Sequence, residues 1–448
     1  MESSGLSKRA YCLLMILLCF LWTSLSYLGW LYRLMDLAPA GAADVLSEVV
    51  AYLLQAEGLA LFAWAMARRP VLTGRRGYAA AVVLDLLCAL PSLAAGGYHA
   101  VLLSGLLMNL VHGLVAGFYL RELAAWETDR PASVFGLGYG IAVIAAWLLS
   151  LPGGGVLIRT PWAWVLCAAA AIPTLRLAAG PMASAPPEGE TPEPPDYRGL
   201  LPLAGTVVLL SLVKSLGFSF PSSDIRSGVS LELTRVFYSA GLISAGFLID
   251  RKRQYGFILC AVSLVLPFVT LLLSREGVSP QALWCGEYLF FGFFSVFRVV
   301  LFLDVSRRTG LPWLSVPGLL FGRVGDALGA GLSILLGSRP VALVILTAVL
   351  FAVTVLALFT LYQRLFAPGP PVPAGQEPDP FPAFTERFGI SRREQDVLRL
   401  LLERQTNTEI SQALNVSENT VKFHVRNILQ KTGCRNRVEL LSKYAARP

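Results

Sequence analysis

The chain has 448 residues, of which 55% are hydrophobic and 15% charged, and its mean hydropathy is +0.61. Soluble globular proteins carry about 25% charged residues, so this composition excludes an ordinary soluble enzyme, and its hydrophobicity excludes intrinsic disorder. Lys and Arg number 37 against 29 Asp and Glu, a net +8 whose placement matters more than its size.

In chain order, twelve stretches are long and apolar enough to cross a bilayer as helices of about 20 residues. They are 11–32, 46–67, 77–96, 100–120, 134–152, 161–179, 200–220, 231–250, 256–273, 282–303, 314–336 and 340–362. The first follows Lys8 and Arg9. It is too long, and has too many successors, to be a cleaved signal peptide, so it reads as a retained anchor. Residues 180–199 are rich in Pro and Glu and cannot pack a core. They divide a membrane domain, 1–364, into halves 11–179 and 200–364. The cysteines 12, 19, 88, 167, 260 and 285 lie in apolar segments and Cys434 in the tail. No two form a CxxC pair, so they read as small core residues, with neither a disulfide framework nor a metal site.

The loops differ in charge. One set holds fifteen cations: Lys8, Arg9, Arg68, Arg69, Arg75, Arg76, Arg121, Arg130, Arg176, Arg198, Arg251, Lys252, Arg253, Arg307 and Arg308. The other set holds five: Arg33, Arg159, Arg226, Arg275 and Arg339. The positive-inside rule places both termini in the cytoplasm, in agreement with an even number of spans. A short basic loop recurs at the same place in each half, Arg68–Arg76 and Gly246–Arg253, as an internal repeat would produce.

Twelve helices in two sixes, with Gly246, Asp250 and Arg251 forming G-x-x-x-D-R after the eighth, resemble the major facilitator superfamily of transporters. Arg253 stands where that family usually has a second Gly, and the first-half copy lacks the Asp. Arg251–Arg253 can equally serve as topology determinants.

Ionisable residues inside spans are costly and mark function by default. The first half offers Glu57, Asp85 and His112. The second offers Lys214, Glu232, Arg235, Glu287, Arg298, Arg323 and Asp326. Arg323 and Asp326 are three apart on one helix and can pair. Lys214, Arg235, Arg298 and Arg323 come from four helices. If they converge, they form a cationic cavity suited to a small anion such as a carboxylate or phosphate. The alternative is that each pairs internally or reaches the interface. The candidate ligand cavity is therefore Glu57, Asp85, His112, Lys214, Arg235, Arg298, Arg323 and Asp326.

Residues 365–383 form a Pro-rich linker, with seven prolines between 367 and 383. At ~3.1 Å per residue such a spacer reaches ~50 Å. Beyond it, 384–448 is amphipathic and soluble, and 391–448 carries eleven Lys and Arg against six Asp and Glu. Ser391 with Glu394, and Thr406 with Glu409, are capping boxes. Ser417 caps a third helix and Asn436 with Glu439 a fourth. The apolar stripes Val397/Leu398/Leu401, Ile410/Ala413/Leu414 and Val421/Val425/Ile428/Leu429 follow helical spacing. Asn415 and Val416 make a short turn, giving a helix-turn-helix within a four-helix unit. Opposite the third stripe lie Asn419, Phe423, Arg426, Asn427 and Gln430, with Lys422 on the flank. Such a face can enter a major groove, where Arg or Lys reads guanine and Asn or Gln reads adenine. Arg435, Arg437 and Lys443 can meet phosphates.

Four groups of residues in register resemble the LuxR-type DNA-binding domain over some 60 residues. The first is Phe388, Gly389, Ile390, Ser391, Arg393 and Glu394. The second is Thr406, Asn407, Glu409 and Ile410. The third is Val416, Ser417, Thr420, Val421, Lys422, His424 and Val425. The last is Ile428, Lys431, Gly433, Arg435, Asn436 and Arg437. The resemblance implies that Lys422, Phe423 and Arg426 face bases and that Thr420 and Lys431 approach phosphates. It implies that Glu394 and Asn407 hold the helices together, and that the fourth helix is a homodimer surface. Three positions depart from the family. Arg404 replaces a frequent Gly, which is expected to lengthen helix one slightly. Thr432 replaces a usual Leu, which weakens a core contact. Cys434 replaces an apolar residue. His424 reads as structural.

The expected fold is all-α: a twelve-helix, six-plus-six membrane bundle like the major facilitator fold, followed by a four-helix LuxR-type domain. No Walker motif, dinucleotide fingerprint, HExxH or nucleophile elbow is present, so neither catalysis nor a cofactor is expected. The expected protein is a multi-pass bacterial inner-membrane transcription regulator that binds double-stranded promoter DNA, contacts membrane lipid and senses an unknown small molecule. The rival expectation is a secondary transporter with a regulatory tail.

Overall fold

The computed structural model describes residues 7–39, 41–126, 130–150, 162–183, 197–217, 231–366 and 380–445. Among them there is no strand. The chain divides into two units, Met1–Phe366 and Ala367–Pro448. Most of the linker, and residues 184–196 of the inter-half segment, lie outside the described residues.

A helix stands at each of the twelve predicted places in the first unit: α1 Lys8–Leu37, α2 Ala42–Arg68, α3 Arg75–Ala94, α4 Tyr98–Ala125, α5 Pro131–Ser150, α6 Trp162–Arg176, α7 Tyr197–Gly217, α8 Leu231–Arg251, α9 Arg253–Leu273, α10 Pro280–Thr309, α11 Pro317–Leu336 and α12 Pro340–Phe366. Among the described residues ten are long and apolar enough to cross a membrane, α6 and α8 being the exceptions. The unit is a multi-pass membrane bundle. Helix α10 shows how local chemistry sets the ends. Ser279 caps it by accepting from the Ala282 N–H, Pro280 opens it, and Gly310 ends it at φ +67°, where a side chain would be strained. The outer face of α12 exposes Val341, Ile345, Val349, Leu356 and Phe359, as a helix solvated by lipid would.

The halves meet along two seams, α2 against α11 and α5 against α8. Moving six helices along the chain turns the first pair into the second, as an internal repeat requires. At the α5–α8 seam, a Cβ on Gly136 would collide with the Leu242 carbonyl, so glycine is what lets the backbones approach. Ser239 Oγ then donates to the Gly140 carbonyl at 2.8 Å.

Gly246 and Asp250 of the G-x-x-x-D-R motif are built into the same place, whereas Arg251 is exposed. Asp250 accepts from the backbone N–H groups of Ala132 at 3.1 Å and Ser133 at 2.6 Å, a carboxylate seated on the N-terminus of α5. Arg253 bridges Asp250 at 2.9 Å and Asp304 at 2.8 Å. Arg253 is thus a structural tie as well as a loop cation. Arg121, assigned to a loop from sequence, lies inside α4 and is buried. It donates to the carbonyls of Thr73 and Ala183 and sits 3.6 Å from Glu122.

The second unit contains α13 Pro380–Arg387, α14 Arg392–Leu402, α15 Asn407–Ala413, α16 Glu418–Thr432 and α17 Arg437–Ala445. Helix α13 was not foreseen, because its two prolines and their neighbours read as spacer. Proline at a first helical position costs nothing, since that N–H has no partner anyway. The helix is held by Phe381, which is buried with the Arg399 guanidinium 4.1 Å from its ring centre. The core joins Val397, Leu398, Leu401, Ile410, Val421 and Ile428 with Leu440. Both capping boxes are formed. Helix α14 is not lengthened by Arg404. It ends at Leu402 because Arg404 itself takes the left-handed conformation, φ +63°, that glycine would supply more cheaply.

Candidate nucleic-acid interface and membrane cavity

In the membrane unit, Asp326 on α11 is buried and draws three cations from three helices. Lys214 Nζ lies 2.6 Å away, Arg298 3.0 Å and Arg323 4.0 Å. Ser211 accepts a further bond from Arg298 at 3.2 Å. One carboxylate among three cations gives the cluster a formal net charge of +2. Arg323 also lies 4.9 Å from the ring centre of Tyr52. It lines a cavity of about 200 Å³ with Tyr27, Tyr52, Tyr119, Tyr139 and His112.

Behind that wall, His112 Nε2 is 3.4 Å from Asp85, and Trp22 Nε1 donates to Asp85 at 2.6 Å. Ser26 Oγ also lies 3.1 Å from His112 Nε2. Of the eight predicted cavity residues, Lys214, Arg298, Arg323 and Asp326 form one cluster, while Asp85 and His112 form a second. Glu57 is a correction. It is exposed on the stripe of α2 that carries Leu53, Leu61 and Trp64, facing away from the cavity. Arg235 is half-buried, and of the eight only His112 and Arg323 are among the cavity-lining residues. The tyrosines were missed because aromatic residues in apolar runs read as core. Their recurrence at Tyr27, Tyr52, Tyr119 and Tyr139 was the available signal.

In the second unit, Ser417 caps α16 by accepting from the Thr420 N–H at 3.1 Å, and Gly433 ends it at φ +68°. Asn415, at φ +53°, makes the turn from α15. Val421, Ile428 and Thr432 are buried against the core, so the opposite face is left to solvent. That face presents Thr420, Lys422, Phe423 and Arg426, with Phe423 61% exposed. Among the described residues Lys422 pairs with Glu418 alone, one turn away at 2.9 Å, and both are exposed. Such a pair is worth little and yields readily to a phosphate.

Residues 389–444 match the model of the bacterial regulatory proteins, luxR family. The chain is 41% identical over 56 residues to the spore germination protein GerE of Bacillus subtilis (strain 168), covering 76% of that protein and 12% of this chain. The chain belongs to the luxR family of bacterial regulatory proteins.

Two larger luxR-type relatives come from Escherichia coli (strain K12). The nitrate/nitrite response regulator protein NarP is 47% identical over 64 residues, 14% of this chain and 27% of NarP. The regulatory protein SdiA is 37% identical over 62 residues, 14% of this chain and 26% of SdiA. The chain thus spans about a quarter of the length of each. The membrane unit accounts for a different likeness. A crystal structure of an auto-inhibited POT family peptide transporter superposes with a TM-score of 0.55 at 11% identity, covering 80% of this chain and 97% of that one. The shared feature is the fold. A transporter-like membrane bundle is therefore joined to a luxR-type helix-turn-helix transcription-regulator domain.

Within that luxR domain, the cations divide. Lys431, expected near phosphate, turns inward: Nζ donates to Glu394 at 2.6 Å and to the Gly389 carbonyl at 3.0 Å. Lys443 donates to the Thr432 carbonyl at 2.6 Å, and Arg437 donates to the carbonyls of Gln405 and Leu401. These three tie helices together. Arg435 is exposed and Asn427 half-buried. Asn407 makes no bond to another helix among the described residues, whereas Glu394 does bridge α14 to α16. Thr432, expected to weaken the core, is buried with its hydroxyl donating to the Ile428 carbonyl at 2.8 Å. Cys434 is buried, which removes it as an accessible redox group.

Glu394 is nearly inaccessible. Burial pushes its carboxyl up, but the donors Lys431 and Ser391 outweigh that and hold it below the ordinary value. A lowered folded-state pKa stabilises the domain above the ordinary carboxylate range, ~4.3, and that contribution is lost as pH falls through the folded value. Glu394→Gln should therefore lower the stability of the helix-turn-helix unit by roughly 2 kcal/mol at neutral pH. The gap to wild type should close as pH drops below the carboxylate range. Chemical denaturation of residues 380–448 at a series of pH values checks this, and a gap independent of pH refutes it.

Proposed function

We propose that the chain is a membrane-tethered transcription regulator of the bacterial inner membrane. Both termini are cytoplasmic, promoter DNA is bound through α16, and the bundle senses a small molecule. The observation that carries this reading is the exposed basic face Lys422/Phe423/Arg426 on the second helix of a luxR-type helix-turn-helix. Thr420, Asn427 and Arg435 flank it as further DNA contacts, while Lys431 and Arg437 position the helices. Helix α17 exposes Val438 by 75% and offers a surface for a second copy.

For the bundle, the cationic excess at Lys214, Arg298 and Arg323 favours an anionic ligand such as a carboxylate, with the tyrosines packing its body. Regulation then follows if the ligand binds two conformations of the bundle unequally. The test is genome-wide DNA enrichment with the full-length protein inserted in its membrane. Sharp peaks are expected upstream of a limited gene set. The absence of peaks across growth conditions would overturn the reading.

A second reading, a secondary transporter with a regulatory tail, has its own observation. Glu287 is buried in α10, bonded to Thr270 at 2.7 Å with no cation paired to it among the described residues, the arrangement a proton-carrying carboxyl uses. Solute counterflow in vesicles that Glu287→Gln abolishes would favour this reading.

A further inference from the structure

A second, larger cavity of about 370 Å³ lies in the second half of the bundle, away from the tyrosine-lined one. Its walls come from the first turns of α7, the C-terminal turns of α10 and α12, and the start of α9. In an alternating bundle these helix ends share one face, the one bearing the basic loops. The floor is apolar, with Phe257, Phe297, Leu301 and Leu361. The rim is basic, with Arg308 and Arg364 both exposed. Among the described residues neither arginine is engaged in an ion pair. The third rim arginine, Arg253, is already held by Asp250 and Asp304.

Depth and access identify the occupant. Along α10 the lining runs from Phe297 to Thr309, ~18 Å at 1.5 Å per residue. That is close to half of a ~30 Å hydrocarbon core, one leaflet. Leu365 lines the cavity and is itself 37% exposed, and Leu201, beside the lining residue Leu200, is 76% exposed. The wall is therefore continuous with the lipid-facing surface. A soluble anion would leave the apolar floor uncovered, and a neutral lipid would leave two arginines without a counter-charge.

We propose that this cavity binds an anionic phospholipid of the leaflet on the basic-loop side. Its phosphate bridges Arg308 and Arg364, and an acyl chain descends along α10 to Phe297. The site occupies the last turn of α12, the helix from which the chain continues towards the helix-turn-helix domain. It is separate from the ligand cavity of the proposed function and stands whether or not that reading holds.

The test is native mass spectrometry of the delipidated full-length protein titrated with dioleoyl phosphatidylglycerol or dioleoyl phosphatidylcholine. Wild type should retain phosphatidylglycerol about tenfold better. Arg308→Ala with Arg364→Ala should bring the two lipids to parity without altering the melting temperature. Leu301→Trp, which fills the cavity, should reduce retention of both. Equal retention by wild type, or an undiminished preference in the arginine variant, would overturn the proposal. So would displacement of the lipid by millimolar inorganic phosphate, which would identify a site for the free anion instead.

Discussion

Replacing Lys422 and Arg426 with alanine should abolish sequence-specific DNA binding and leave the domain folded. Both side chains stand on the solvent face of α16, and the core beneath them, Val421 and Ile428, is untouched. The bond broken inside the protein is the exposed Lys422–Glu418 pair, worth well under 1 kcal/mol. Each well-formed contact to a base edge is worth ~1–3 kcal/mol, so losing two should weaken operator binding by ~30-fold or more. The salt dependence should also become shallower, because fewer counterions are released. Fluorescence anisotropy on an operator taken from the enriched sites, at several salt concentrations, measures both. Lys431→Ala provides the contrast. Its ammonium is bound to Glu394 and Gly389, so it should reduce stability more than affinity. Unchanged operator affinity in the double variant would remove α16 as the reading helix.

The elements were legible because each is written locally. Apolar runs of about 20 residues mark the spans, and Ser391/Glu394 and Thr406/Glu409 mark helix starts within four residues of sequence. Which way a helix faces is written elsewhere. Glu57 and Asp326 look alike in sequence, each an acid within an apolar stretch. One lies beside Leu53 and Leu61 on the outside, and the other lies among three cations. Only the packing of α2 against α4 and α11 decides the difference. The cations of the helix-turn-helix domain show the same limit. Lys422 and Lys431 are nine residues apart on one helix, yet only Lys431 is within reach of Glu394 on α14. Arg404 marks a third kind of gap. A residue with no special preference for the left-handed region was read as helix-compatible, whereas the turn imposed that conformation on it.

Asp326→Ala should be the most damaging single substitution in the membrane unit. A buried charge is tolerated when paired, and removing one partner leaves the others uncompensated. Here the partner removed serves three cations at once, so the cluster passes from net +2 to +3 inside a low-dielectric bundle. The expected loss is ~3–5 kcal/mol, seen as a large fall in the detergent unfolding midpoint. Removing a cation instead works in the other direction. Lys214→Met lowers the excess to +1, keeps Arg298 on Asp326, and supplies an apolar side chain of similar length. It should cost about 1 kcal/mol or less, or even stabilise. An anion should also rescue the wild type selectively. A ligand carboxylate placed beside Arg323 supplies the missing negative charge and raises the melting temperature, whereas Lys214→Met, with less excess charge, should respond less. If Asp326→Ala and Lys214→Met are equally destabilising, the cluster is an ordinary packing element, and the case for an anion-seeking cavity fails with it.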